Sequence, residues 1–178
     1  MLVAVALALL GLAAPARGAP LSAGAGRADI TPPTGYPMLG WARGDARALG
    51  QHTRLFARAL VLQRGPRRLA LVAMDLNMVS GGLVVQAARR AGFEPRDVIV
   101  SASHTHAGPT GYSNFLFKDA AFPTPAEPQS GVTQPDPLLY TFLVRRLTLA
   151  LERARAAAGP ASARARSSAS VRRRTRNV

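Results

Sequence analysis

A strand–helix–strand pattern in the middle of the chain limits the fold more than any other feature of the sequence. Residues 68–76 form a continuous apolar run, and residues 80–91 have the apolar spacing of a helix that stops at Gly92. A second run of strand character follows at residues 97–103. Strand, helix and strand within about 35 residues are typical of a parallel crossover unit. The two strands are therefore predicted to be parallel neighbours in one sheet.

The remaining elements extend this unit into a larger sheet. Residues 24–31 have the character of a strand that stops at two prolines, and residues 54–63 are predicted to form a hairpin with residues 68–76. Residues 110–135 form a long proline-containing loop, and residues 137–158 form an amphipathic helix. Its apolar stripe consists of Leu138, Leu139, Phe142, Leu143, Leu147 and Leu151. The order of elements predicts an α/β fold, a mixed sheet with at least one parallel βαβ unit and packed helices.

The N-terminus has the pattern of an export signal. Residues 1–14 are almost wholly apolar, which is too short a run to span a bilayer as a helix but matches the apolar region of a secretory signal peptide. No Lys or Arg precedes the run, so a buried N-terminal helix is the alternative. The pattern predicts a signal peptide over residues 1–19 and a secreted or periplasmic protein.

Basic residues are concentrated at the other end of the chain. The formal net charge is +14, from 23 basic and 9 acidic residues, but eight arginines and no acidic residue lie within residues 153–178. Residues 159–178 are nearly all small or basic, and we predict a disordered basic tail there. The tail is either an arm that binds nucleic acid or anionic lipid, or the product of a truncated or frame-shifted reading frame. Aromatic residues on which bases stack are absent from it.

The residues suited to catalysis are few. The chain has no cysteine, which excludes thiolate metal sites and a cysteine nucleophile, and it has three histidines. His104 and His106 follow the second strand of the parallel unit, and in an extended His-x-His segment both rings point to one side. They could bind one Zn²⁺, or one could bind it while the other acts as acid or base; two hydrogen-bonded loop histidines are the alternative.

Asp75, at the end of the preceding strand, could orient a metal-bound imidazole or cap a turn. His52 is expected to be an ordinary surface or core histidine.

Five segments occur in the order and near the spacing found in one known family. They are residues 24–33, residues 37–41, residues 52–60, residues 69–76 and residues 103–112, the last with the motif Ser-His-Thr-His-Ala-Gly-Pro. Together they cover about residues 22–158. On these motifs the chain resembles the N-terminal part of the neutral/alkaline non-lysosomal ceramidase family.

The resemblance implies an exported zinc amidase that cleaves the N-acyl bond of ceramide to give sphingosine and a fatty acid. In such enzymes the first histidine of the motif binds Zn²⁺ and the second lies beside the metal and the substrate. The resemblance therefore implies that His104 is a metal ligand and that His106 is a catalytic residue. A Zn²⁺ ion suits the reaction because it polarises the amide carbonyl and activates a water molecule.

The chain departs from the family after His106. The family's other zinc ligands (a second His, a Glu and a Tyr) and its catalytic Ser come later in its sequences, and no matching segment follows here. Residues 20–158 are therefore interpreted as the N-terminal portion of an incomplete catalytic domain, inactive alone. The expected partner is ceramide or a related N-acyl lipid, with peripheral contact to a membrane surface and no nucleic acid. The alternative function is a non-catalytic exported module that binds lipid or anionic surfaces through its Arg-rich tail.

Overall fold

A mixed sheet of five strands organises the part of the chain that the computed structural model describes, residues 19–38, 47–112 and 136–161. The strands are β1 (Leu21–Asp29), β2 (Phe56–Arg64), β3 (Arg67–Met74), β4 (Val98–Ala102) and β5 (Gly159–Pro160), in the spatial order β4-β3-β2-β1-β5. β3 and β4 are parallel, and the other neighbouring strands are antiparallel. The helices are α1 (Gly81–Arg90) and α2 (Pro137–Ala156), with a short 3₁₀ helix at Pro95–Asp97. The predicted α/β fold with a parallel βαβ unit is confirmed.

The parallel unit forms for the reasons that its sequence indicates. Ser80 caps α1, since its side chain accepts a hydrogen bond from the Leu83 N–H over 3.4 Å. Gly92 ends the helix with a φ of 74°, a conformation that glycine adopts without steric cost. Leu83 and Ala87 are fully buried on the inner side of the helix. The helix therefore returns the chain to the sheet edge beside β3, where β4 begins.

Helix α2 lies against β1 and β2 and also contacts α1. Asp136 caps it, accepting hydrogen bonds from the N–H groups of Leu138 and Leu139 over 2.8 and 3.1 Å. The buried side of the helix consists of Leu139, Leu143, Val144, Leu147, Ala150, Leu151 and Ala154. Leu138 belongs to the predicted apolar stripe but is 78% exposed in the first turn. The stripe that contacts the sheet is thus shifted toward the small residues near the C-terminal end of α2.

Two glycines of β1 allow α2 to approach the sheet closely. A Cβ atom at Gly24 would lie 2.1 Å from the Ala154 carbonyl oxygen, and one at Gly26 would lie 2.4 Å from the Ala154 nitrogen. Such distances are far inside van der Waals contact, so the backbones touch only because both side chains are hydrogen atoms. This close approach fixes the position of the helix on β1.

The opposite face of the sheet carries a row of apolar side chains. Leu60 of β2 pairs with Leu71 of β3, which pairs with Ile99 of β4. The three residues are 39%, 37% and 57% exposed, respectively. Sheets with parallel strands usually have both faces covered. In the described part of this chain α2 covers the other face, and the face with these three residues has no helix packed on it. The row is therefore an apolar surface in contact with solvent.

The structure corrects one predicted boundary and leaves others untested. Gly159 and Pro160, which we assigned to the disordered tail, pair with Ala23 and Ser22 of β1 and belong to the fold. Most of the predicted signal peptide, most of the loop at residues 110–135 and most of the predicted tail lie outside the described residues. Within the described ranges, neither helix has the length and apolar character needed to cross a membrane.

Candidate functional site

The C-terminal ends of the two parallel strands meet at one edge of the sheet. Residues 75–79 leave it after β3, and residues 103–112 leave it after β4. The Ser103 N–H donates to the Met74 carbonyl over 2.9 Å, which continues the contact between the two strands beyond β4. Such edges are where α/β proteins place their ligands, because the connecting loops diverge there.

His104 and His106 lie next to each other at this edge. Their ring centroids are 5.3 Å apart and the ring planes are inclined at 78°. The prediction of an extended His-x-His backbone was wrong, since β4 ends at Ala102 and His104 has a φ of 58°. Within the described ranges, His104 is the only residue other than glycine with a positive φ. A turn, and not strand alternation, brings the two rings together, and the strained backbone is of a kind that occurs most often at functional sites.

A backbone carbonyl fixes the tautomer of His104. The Nδ1 atom of the ring lies 3.2 Å from the carbonyl oxygen of Asn77. A carbonyl oxygen only accepts hydrogen bonds, so Nδ1 must carry the proton. The neutral ring then has its lone pair on Nε2, and this is how metal-binding histidines are usually held in proteins. His104 is therefore prepared to bind a cation through Nε2.

Asp75 has other partners in the structure. Its carboxylate accepts a hydrogen bond from the Phe56 N–H over 2.9 Å, and both its oxygens lie 2.8 Å from the guanidinium of Arg58. The sequence left Asp75 either to orient a metal-bound His104 or to cap a turn, whereas in the structure the Nδ1 of His104 lies against the carbonyl oxygen of Asn77, which accepts its hydrogen bond. Asp75 instead ties the end of β3 to the start of β2.

Asn77 and Tyr112 are two residues of the site that the sequence did not single out as functional. Asn77 is 5% exposed, and its Nδ2 atom has no hydrogen-bond partner among the described residues. Tyr112 is 1% exposed and donates to the Met78 carbonyl over 2.6 Å. Burial raises the pKa of Tyr112 to about 12. The only available signal was the place of Asn77, a polar residue directly after a buried strand.

A groove of about 340 Å³ is lined in part by the loop that carries the two histidines. One wall is formed by Ala107, Gly108 and Pro109, which directly follow His106. The rest of the lining comes from the segment that connects β1 to β2, including Tyr36, Leu49, Gly50, Gln51 and His52. His52 is exposed, as expected of an ordinary surface histidine, and Leu49 is 94% exposed at the groove.

The wall of the groove is anchored to α2 through Tyr36. The Tyr36 hydroxyl donates to the Asp136 carboxylate over 2.9 Å. Hydrogen bonds from the backbone, chiefly from Leu139, lower the pKa of Asp136, while burial and the nearby carboxylate raise the pKa of Tyr36. The Thr110 N–H also donates to the Pro37 carbonyl over 2.8 Å. The loop that carries the histidines is thus held at Thr110 by the Pro37 carbonyl and at His104 by the Asn77 carbonyl.

The described residues offer too few donors for a complete zinc site. Zn²⁺ in proteins takes three or four ligands from histidine, cysteine or carboxylate side chains. No group of three such side chains suited to a metal occurs in residues 19–38, 47–112 and 136–161. His104 fits the role of one ligand, through Nε2, with His106 beside it. A complete coordination shell needs donors beyond these residues.

Sequence comparisons place these features among known proteins. The family described as "Neutral/alkaline non-lysosomal ceramidase, N-terminal" matches residues 21–124 of the chain, which include both histidines of the pair. Over 107 residues the chain is 36% identical to the neutral ceramidase of Mycobacterium tuberculosis, an alignment that covers 54% of this chain and 17% of the relative. Over 118 residues it is 33% identical to the neutral ceramidase of Pseudomonas aeruginosa, with 60% and 18% covered. The chain therefore spans less than a fifth of the length of these relatives.

A solved structure has the same fold. The crystal structure of the neutral ceramidase from Pseudomonas aeruginosa superposes with a TM-score of 0.67 and 26% sequence identity. The superposition covers 80% of this chain and 22% of the ceramidase. The arrangement of sheet and helices described above is thus found within a larger protein.

Proposed function

Since this chain belongs to the neutral/alkaline non-lysosomal ceramidase family, we propose that it forms the N-terminal part of a zinc-dependent ceramide hydrolase. The reaction adds water across the N-acyl amide bond of ceramide, so that the C–N bond breaks and sphingosine and a fatty acid are released. The observation that carries the proposal is the His104–His106 pair, with Nδ1 of His104 bound to a carbonyl and Nε2 left to bind a metal.

Each histidine has its own role in this proposal. His104 binds the metal through Nε2, and its strained backbone and its bond to Asn77 set the direction of the ring. His106 lies beside it and is exposed, so it can donate a hydrogen bond to the substrate or exchange a proton with it. When bound, Zn²⁺ would supply a Lewis acid for the amide carbonyl and lower the pKa of a water molecule. Asp75 stabilises the strand ends behind them.

The described residues by themselves are expected to be inactive. They offer two neighbouring histidines, whereas catalytic zinc needs at least three protein ligands to be held firmly. We propose that the other ligands and the remaining catalytic groups come from the part of the family's catalytic domain that these residues do not match. The chain alone should then bind zinc weakly and release no fatty acid from ceramide.

The groove beside the histidines is suited to an apolar chain of the lipid. It begins at Ala107–Pro109, directly after His106, and Leu49 and Leu55 contribute apolar surface to it. A volume of about 340 Å³ is within the range of small-molecule sites. A Cβ atom at Gly50 would meet nothing within 4 Å, so Gly50→Trp can be introduced without a backbone clash to fill part of the groove.

A chimera tests the proposal directly. Residues 21–112 would replace the corresponding segment of the Pseudomonas aeruginosa neutral ceramidase, and hydrolysis of a fluorescent short-chain ceramide would be measured. We expect activity that falls at least a hundredfold, roughly, with His104→Ala, because the metal loses a ligand. Gly50→Trp should raise KM, and Gly81→Trp, at another glycine with open space, is its matched control. An active chimera that retains its zinc and its rate in the His104→Ala variant would disprove the assignment.

We also propose that the chain is exported by a signal peptide over residues 1–19. The support is the apolar run at residues 1–14, followed by small residues suited to cleavage. Expression of the full chain in a bacterium, followed by mass spectrometry of the periplasmic fraction, should give a product that begins near residue 20. An uncleaved chain in the cytoplasm would contradict this proposal.

A further inference from the structure

The orientation of His104 depends on a short backbone segment that is itself held by a second residue. His104 is bound by the carbonyl of Asn77, which belongs to the peptide unit between Asn77 and Met78. The next carbonyl, that of Met78, accepts the hydrogen bond from the buried Tyr112 hydroxyl over 2.6 Å. Two successive peptide units thus connect Tyr112 to His104.

The Tyr112 hydroxyl is well suited to fix this segment. Its ring is 1% exposed, so the hydroxyl meets little competition from water. Residues 75–79 form no strand or helix, and within the described ranges the last backbone hydrogen bond that this segment donates to a neighbouring strand is that of the Asp75 N–H to the Phe56 carbonyl, over 2.9 Å. Bonds from the side chains of Tyr112 and His104 therefore replace part of the ladder in setting the direction of these two carbonyls.

We propose that Tyr112 is a positioning residue for His104, acting through the backbone of Asn77 and Met78. Its hydrogen bond keeps the Asn77 carbonyl directed at Nδ1, which keeps the proton on Nδ1 and the lone pair on Nε2. The consequence for metal binding rests on the function proposed above, whereas the effect on the tautomer of His104 does not. Without the hydroxyl, the Met78 carbonyl loses its hydrogen-bond donor, and leaving a carbonyl unpaired is costly. The peptide units of residues 77–78 then rotate toward another donor, which turns the Asn77 carbonyl away from Nδ1.

The test is the tautomer ratio of His104, measured by long-range ¹H–¹⁵N NMR on the full chain with labelled histidine in basic solution. We expect the Nδ1–H form to dominate in the wild type. Tyr112→Phe should lower the ratio of the Nδ1–H to the Nε2–H form at least threefold, roughly the strength of one hydrogen bond. Tyr36→Phe, which removes the hydroxyl bound to Asp136, is the matched control and should leave the ratio unchanged.

A third variant separates hydrogen bonding from packing. 4-Aminophenylalanine at position 112 retains the ring and an N–H donor, so it should keep the ratio near the wild-type value and should fold even where Tyr112→Phe does not. The affinity for Zn²⁺, measured with a competing chelator, should fall about tenfold in Tyr112→Phe and be restored by the amino variant.

Three results would overturn the proposal. They are a wild-type His104 protonated mainly on Nε2, an unchanged ratio in a folded Tyr112→Phe variant, and an equal change in Tyr36→Phe. A ratio that changes as expected, together with a chimera that keeps its zinc in the His104→Ala variant, would support the positioning role and contradict the metal assignment. The two proposals therefore fail independently.

Discussion

His104 combines a proposed role in metal binding with an unfavourable backbone conformation. A φ of 58° costs a residue with a Cβ atom about 1–2 kcal/mol relative to glycine. The variants His104→Gly and His104→Ala both lose the ring and its bond to Asn77, so their difference isolates the backbone. We expect the glycine variant to have the higher free energy of unfolding, by about 1 kcal/mol, in chemical denaturation. Equal stabilities would show that the left-handed conformation carries no strain.

Asp29 makes the fold sensitive to acid. Hydrogen bonds from Thr31 are the largest cause that lowers its pKa from 3.8 to about 2, and Arg54 adds an ion pair. Because the folded-state pKa is the lower one, the charged carboxylate stabilises the fold above the unfolded-state pKa. This contribution is lost as the pH falls from about 4 to about 2.

The Asp29→Asn variant tests this pH dependence. Its free energy of unfolding should decrease less than that of the wild type over the same pH interval, as measured by urea denaturation at several pH values. Glu94→Gln is a suitable control, since the side chain of Glu94 has no hydrogen-bond partner in the ranges that the structure describes. If the free energy of unfolding of Asp29→Asn decreases as much as that of the wild type over this pH interval, the role of this carboxylate is contradicted.

The contact between β1 and α2 is tightly constrained by the backbones of both elements. A methyl group at Gly26 would lie 2.4 Å from the Ala154 nitrogen and 2.5 Å from the Ala150 carbonyl oxygen in α2. These are backbone atoms, which cannot move aside as a side chain can. We expect Gly26→Ala to lower the free energy of unfolding by about 3 kcal/mol, the upper end for overpacked sites. Gly159→Ala, where a Cβ atom meets nothing within 4 Å, should have little effect. Both values can be read from denaturant midpoints.

The elements were predictable where their signals are local. The cap at Ser80, the stop at Gly92 and the start of α2 at Asp136 each follow from residues within a few positions along the chain. The pairing of Gly159–Pro160 with β1 was not predictable, because two residues carry no period. The roles of Asn77 and Tyr112 were missed for a similar reason: their hydrogen bonds join segments 27 and 34 residues apart.

For the whole molecule, a mixed sheet and a histidine pair at its edge could be expected from the sequence, whereas the way in which the pair is built could not. The approach of the two rings results from the left-handed turn at His104, a conformation that residues other than glycine adopt too rarely to be predicted at one position. The partners of Asp75 also lay beyond the reach of the sequence, because Arg58 and Phe56 become its neighbours only when β2 and β3 pair. Side chains at a sheet edge are therefore predictable in place, whereas their hydrogen bonds depend on tertiary contacts.

The apolar row of Leu60, Leu71 and Ile99 has a consequence for the chain in solution. These residues form one line across three strands on the face opposite α2. Contiguous apolar surface of this kind favours association, and a second copy of the chain offers a matching row.

We expect sedimentation velocity to show a concentration-dependent dimer of the isolated chain. Leu71→Lys, in the middle of the row, should shift it to monomer, because a charge there would have to be buried. Leu138→Lys changes a leucine that is 78% exposed on α2 and should leave the dimer intact. A monomer at all concentrations, or equal effects of the two lysines, would show that this face does not drive association.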